Sequence, residues 1–164
     1  MICVVSCYLY LESEFMEQFG YAHKVFSNRE NLALAVQEVT AKAGYPTALI
    51  EIAVMEGRSV NWQDKWQVHI AKAELHAVAS VLLGFRNECE FKFHGSNKNV
   101  SYKFEKGQGS VVIGIRNAGH LRSIHVPMDS VFWVASIVVS AIVKNAPPGI
   151  PESMIIPLLQ RTQG

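Results

Sequence analysis

Apolar and polar positions alternate with a period of two from Cys89 to Val126. Cys89, Phe91 and Phe93 fall on one face, Glu90, Lys92 and His94 on the other. Val100, Tyr102 and Phe104 oppose Ser101, Lys103 and Glu105, and Val111, Ile113 and Ile115 oppose Val112, Gly114 and Arg116. Ile124 and Val126 oppose Ser123 and His125. Successive side chains of a strand point to opposite faces, so this pattern marks half-buried strands. Gly95-Ser96-Asn97, Gly107-Gln108-Gly109 and Ala118-Gly119 separate the runs at hairpin lengths, with glycine available for positive φ. The stretch reads as a four-stranded antiparallel meander with one apolar face and one polar, cation-bearing face.

Elsewhere the pattern predicts strands over Ala48–Met55 and Trp66–Ile70. Asn31–Thr40 suits either a strand, through Leu32, Leu34 and Val36, or an alanine-rich helix closed by Gly44. Leu75, Val78, Ala79 and Leu82 recur at helical spacing, which predicts a helix over Lys72–Leu83 with Gly84 as its C-cap. A second helix follows Pro127, with Asp129 or Ser130 as N-cap. Its body is apolar nearly all round, which a helix with one face in water is not. One side is therefore expected on the sheet and the other on a second subunit, with Phe132, Trp133, Ile137, Val138 and Ile142 as the candidate interface. Asn145-Ala-Pro-Pro-Gly ends the helix, and Met154–Leu159 is apolar enough to dock. Residues 1–28 are the least legible and read as an N-terminal arm, in which 13–19 suit a short helix. Residues 29–164 read as a single domain. Strands then a helix, twice over, hint at an internal duplication within an α+β fold of antiparallel sheets and two helices.

Composition changes this picture little. A chain of 164 residues, 49% hydrophobic and 18% charged, suits one domain with its own core. The longest apolar run, Val131–Val143, is shorter than the roughly 18 residues of a spanning helix. Ile2–Leu11 lacks a basic flank and precedes Glu12, Glu14 and Glu17, unlike a signal or transit peptide. Cys3, Cys7 and Cys89 are a sparse, odd set that fits free thiols in a reducing compartment. The expectation is an intracellular, cytoplasmic protein, with an organelle left open and no membrane partner.

Charge changes the picture more. The formal net charge is only +1. From Phe85 to Val126, however, seven Lys/Arg face three Glu, against eight and eleven acidic residues in the rest of the chain. A basic sheet face is the footprint of a polyanion binder, and it is also how strands stay soluble. Lys92, Lys98, Lys103 and Arg116 are the candidate phosphate contacts, with His94 and His125 as further donors. Trp62, read as a loop residue, is the stacking candidate; Trp66, Tyr102 and Phe104 lie on apolar strand faces and read as core. Motifs for hydrolysis, nucleotide binding or metal ligation are missing from the sequence. Strict alternation sets Cys89 and His94 on opposite faces, which denies them a nucleophile–base pairing. No catalytic residue, metal or cofactor is expected.

The stretch Ala48–Gly84 contains Asn61-Trp62-Gln63, then Lys65, then Glu74-Leu75 at a helix start. It resembles the Whirly family, whose strand, Tyr-Asp-Trp-like turn, Lys-containing strand and Glu-Leu-starting helix come in that order. Pro127–Val143 resembles the family's closing helix, and Pro147–Leu159 its proline-containing tail. The resemblance covers about residues 31–160 and extends to the trypanosome mitochondrial guide-RNA-binding proteins and, more distantly, the positive cofactor four type. It implies a single-stranded nucleic-acid binder of low sequence specificity, assembled as a tetramer or dimer, and adds Lys65 to the candidate contacts. The chain departs from the family at the Lys-Gly-Lys-Ala-Ala-Leu-like first strand: near Asn28–Leu34 only Arg29 offers a cation, beside Glu30. The alternative expectation is an oligomeric scaffold that makes protein contacts only.

Overall fold

The computed structural model of the chain describes residues 20–162. Two four-stranded antiparallel sheets, each in sequential strand order, form an α+β fold with three α-helices. The first sheet comprises β1 (Ala22–Ser27), β2 (Leu32–Thr40), β3 (Pro46–Glu56) and β4 (Ser59–His69). A turn of 3₁₀ helix, Lys72–Glu74, leads into α1 (Leu75–Leu82). The second sheet comprises β5 (Glu88–His94), β6 (Val100–Lys106), β7 (Ser110–Asn117) and β8 (His120–Pro127). It is followed by α2 (Met128–Asn145) and, after a second 3₁₀ turn, by α3 (Ile155–Arg161). Four strands then a helix, twice, is the repeated order of elements read in the sequence.

The ambiguous segment is β2. Leu32, Leu34 and Val36 are buried on one face, while Ala33 and Ala35 are also buried on the other. Pairing with strands on both sides satisfies its backbone and outweighs the helix propensity of its alanines. β1 recruits Ala22–Ser27 from the segment assigned to the arm. The short helix expected over 13–19 lies outside the described residues. Gly84 closes α1 in the left-handed conformation at φ 79°. Ala118 and Gly119, at φ 47° and 85°, form the two-residue turn between β7 and β8, the conformation that matches strand twist.

α1 and α2 each lie chiefly on the sheet that their own strands did not build. α1 packs on β5 and β6, α2 on β1, β2 and β3 with further contacts to β7 and β8, and the two helices pack on each other. One core results, joining Leu34, Ile50 and Ile52 to Tyr102, Phe104, Ile113 and Ile124 through Val78, Val134 and Val138. α2 starts two to three residues earlier than expected, with Pro127 rather than Asp129 or Ser130 as N-cap, since proline's fixed φ suits a helix entrance. Its 18 residues have the length and mean hydropathy, 1.3, of a membrane-crossing helix, but Val131, Val134, Ile137, Val138 and Ala141 are buried in the core. In the proline-broken tail, Ile155 and Leu159 of α3 are buried, a helix beyond the two expected.

Candidate nucleic-acid interface

Strand register arranges the outer face of the second sheet in three rows. Glu88, Glu105, Val112 and His125 form one, and Glu90, Lys103, Gly114 and Ser123 the next. The third begins where β5 becomes irregular. Phe91 pairs with Tyr102 and His94 with Val100, so both Lys92 and Phe93 stand opposite Ser101, which faces Arg116 and then Leu121. Two residues against one is a β-bulge, and a bulge re-aims the side chains that follow it.

The bulge reverses part of the expected face. Phe93, expected inside, is 75% exposed at φ 66°. His94, expected among the outward phosphate donors, turns inward. Its Nε2 lies 3.0 Å from Glu74 Oε1, and its ring packs edge-on against Tyr102 with centroids 5.2 Å apart. The Tyr102 hydroxyl and the Ala71 amide donate to Glu74 Oε2 at 2.6 and 3.1 Å. Burial first, and the Glu74 carboxylate second, hold the Tyr102 phenol far above its usual range, so it remains a donor. Cys89 and His94 consequently share the inner face, not opposite faces. The Cys89 thiol is pushed by burial up to about 11, away from nucleophile chemistry. A left-handed phenylalanine costs about 1–3 kcal/mol of backbone strain.

The cations divide into held and free. Lys103 is gripped by Glu88 at 2.5 Å and Glu105 at 2.9 Å, and these bonds raise its pKa. The expected phosphate contact is thus already paired with two carboxylates of its own sheet. Lys65 is paired with Glu51 at 2.5 Å on the first sheet, so it too is held, and on a different surface. Among the described residues Lys92 has only Glu90, at 4.0 Å. Arg116 donates to the Gly119 carbonyl at 3.2 Å, and neither it nor Lys98 makes an ion pair among the described residues. The Ala118 amide donates to the Asn99 carbonyl, which joins the turn holding Lys98 to the turn beside Arg116. Lys92, Lys98 and Arg116 therefore gather at one end of the face, around Phe93. Leu121 is exposed at the far end of that row. Between Leu121 and Lys103 a hollow of about 160 Å³ opens over Gly114, where a Cβ would come within 3.3 Å of Ser123 Cβ.

Trp62 is not in a loop. β4 carries a larger irregularity: Ile52 pairs with Trp66 but Val54 with Asn61, and Asn61 Oδ1 accepts from the Asp64 amide to shape the turn. Trp62 lies on the first sheet, where Lys24 of β1 reaches its ring at 5.2 Å. On this face Phe26 pairs with Ala33 and Lys24 with Ala35, and Ala33 in turn with Ala53. Phe26 remains exposed there. Arg122 joins the two sheets. Its guanidinium donates to Ile52 O and to Asp64 O and Oδ2 at 3.3, 2.6 and 2.9 Å, and stacks 4.1 Å from the Trp66 ring centre. His125 faces Glu30 at 2.7 Å. Among the described residues no three His, Cys, Asp or Glu side chains group as metal ligands.

Two expected interface residues, Ile137 and Val138, are in the protomer's own core at 2% and 0% exposure, because α2 presents them to the sheet. Ile142 is half-buried on a groove floored by α1 and α3. Phe132 and Trp133, at 62% and 45% exposure, do face outward, touching each other edge to face with Tyr21 and His23 beside Trp133. Sequence reasoning missed Phe93 altogether, since strict alternation placed it inside. The one available signal is the length of the following connection, which the bulge shortens by one residue. No family model, curated protein or solved structure matches the chain.

Proposed function

We propose that the protein binds single-stranded nucleic acid with low sequence specificity, at the Phe93 end of the second sheet. The observation that carries this reading is the β5 bulge, which turns an aromatic ring into solvent among Lys92, Lys98 and Arg116. Unpaired bases stack on exposed rings whatever their identity, and lysine and arginine meet the backbone phosphates. Leu121 extends the apolar surface along the row. The sequence resemblance to Whirly proteins points the same way, and Trp62, Lys24 and Phe26 offer a second aromatic and cationic surface beyond the Arg122 link. We also propose that α2 supports self-association through Phe132 and Trp133. Nothing in this reading requires turnover.

Fluorescence anisotropy with labelled single-stranded and duplex oligonucleotides, DNA and RNA, over a salt series tests it. Three phosphate contacts to a single strand give a slope of log K against log salt of about −2. Phe93→Ala should weaken single-strand binding about tenfold. Arg116→Gln should weaken it and flatten the salt slope, whereas Lys103→Gln should leave it within about twofold because that charge is already neutralised. Equal loss from Lys103→Gln and Arg116→Gln, or none from Phe93→Ala, would overturn the assignment. A second reading, an oligomeric scaffold without nucleic acid, is favoured by the carboxylates that hold Lys65 and Lys103 and by the exposed Phe132 and Trp133. Absence of binding at low salt would put it first.

A further inference from the structure

We propose that Glu74, His94 and Tyr102 form a positioning device that holds β5 in its bulged register and thereby presents Phe93; its functional meaning rests on the stacking role given to Phe93 above. The sequence offers β5 two registers. In the regular one, Cys89, Phe91 and Phe93 all point inward and His94 points to solvent. In the bulged one, Lys92 and Phe93 together oppose Ser101, and everything after them changes face.

Glu74 decides between them. Its Oε2 already accepts from the Tyr102 hydroxyl and the Ala71 amide, and its Oε1 faces the space that the residue after the bulge enters. A histidine there brings a ring nitrogen to 3.0 Å from Oε1 and packs its ring on Tyr102. A phenylalanine in its place would leave that half-buried carboxylate oxygen without a donor, which is costlier than leaving a ring in water. Tyr102 is itself 1% exposed, so it cannot turn away to relieve the mismatch. The inward pull on His94 is thus what keeps Phe93 out, against both its apolar character and its left-handed backbone.

The test uses the full chain with trifluoromethyl-phenylalanine at position 93, read by fluorine NMR with a soluble paramagnetic agent. In the parent the label should broaden strongly, as an exposed group does. His94→Leu should protect it by returning β5 to regular alternation, and His94→Gln, which keeps a donor for Glu74, should restore exposure. Glu74→Ala reaches the same state from the other side, should His94→Leu fail to fold. A label equally exposed in His94→Leu and Glu74→Ala would overturn the proposal. In oligothymidylate binding, His94→Leu and Phe93→Ala should each cost about tenfold, and the double variant no more than either. Losses that multiply in the double variant would also overturn it. Should the parent bind no oligonucleotide, the nucleic-acid reading fails by itself, while the burial of the label still decides whether Glu74 and His94 set the register.

Discussion

Cys89 shows how one buried side chain ties stability to pH. Its thiol is 3% exposed, and burial raises its pKa from about 9 in the unfolded chain to about 11 in the fold. The folded state therefore holds this proton more tightly. Its contribution is complete below pH 9 and is lost as pH rises toward 11, by about 2–3 kcal/mol. Urea denaturation from pH 8 to 11 should show that fall, and Cys89→Val, which fills similar space without a proton, should flatten its part between about pH 9 and 10, while the fall above pH 10 persists because buried Tyr102 also holds its proton more tightly in the fold. The same burial protects the thiol from alkylation in the folded state. At this scale the sequence was a good guide wherever parity held: Cys89, Tyr102 and Phe104 are core residues as their alternation implied. It misled at Phe93 and His94, because parity counts residues and cannot see the carboxylate of Glu74.

Among the elements, β4 departs most from a regular strand. Four residues, Trp62 to Lys65, bridge the gap between the Asn61 and Trp66 pairings, against a single residue, Ala53, on β3. The excess is stabilised from outside the strand, by Arg122 of β8 bonding the Asp64 carbonyl and carboxylate and the Ile52 carbonyl. Arg122→Ala should cost about 1–3 kcal/mol in urea denaturation, from hydrogen bonds to a charged group and lost packing on Trp66. Amide exchange should then rise locally over 61–65. Uniform exchange across the first sheet would show that Arg122 adds stability without shaping the turn. Read alone, the Asn-Trp-Gln-Asp-Lys run looks like a loop, since its polar residues have no alternation to follow. Its membership of a strand depends on an arginine 58 residues from Asp64.

At the scale of the molecule, the exchange of helices between sheets makes one core from two similar halves. It also decides which side of α2 stays exposed. The sequence showed a helix apolar all round, and the fold uses Val131, Val134, Ile137, Val138 and Ala141 internally, leaving Phe132 and Trp133 outside. Light scattering coupled to size-exclusion should find an oligomer at micromolar concentration, and Phe132→Ser with Trp133→Ser should dissociate it while the circular dichroism of the fold is kept. A monomeric parent would remove the self-association proposal. Ile137→Ala, by contrast, should cost about 2–5 kcal/mol as a core cavity, whether or not the chain associates.

By itself the sequence determined the class of the fold, the four strands of the second sheet, their turns and the two longer helices. These follow from local physics: period-two and helical spacing of apolar residues, glycine where φ is positive, and proline at helix boundaries. Only the tertiary structure decided which way β5 faces after Phe91, which of Lys92, Lys98, Lys103 and Arg116 keep a free charge, where Trp62 lies, and how much of α2 is already covered. Each depends on a partner that spacing along the chain does not specify: Glu74 for His94, Glu88 for Lys103, Lys24 for Trp62, and the first sheet for Ile137 and Val138. A bulge inserts a single residue, yet that residue reverses every face after it, so the exposed ring proposed to stack on bases is also the one that alternation alone assigned to the core.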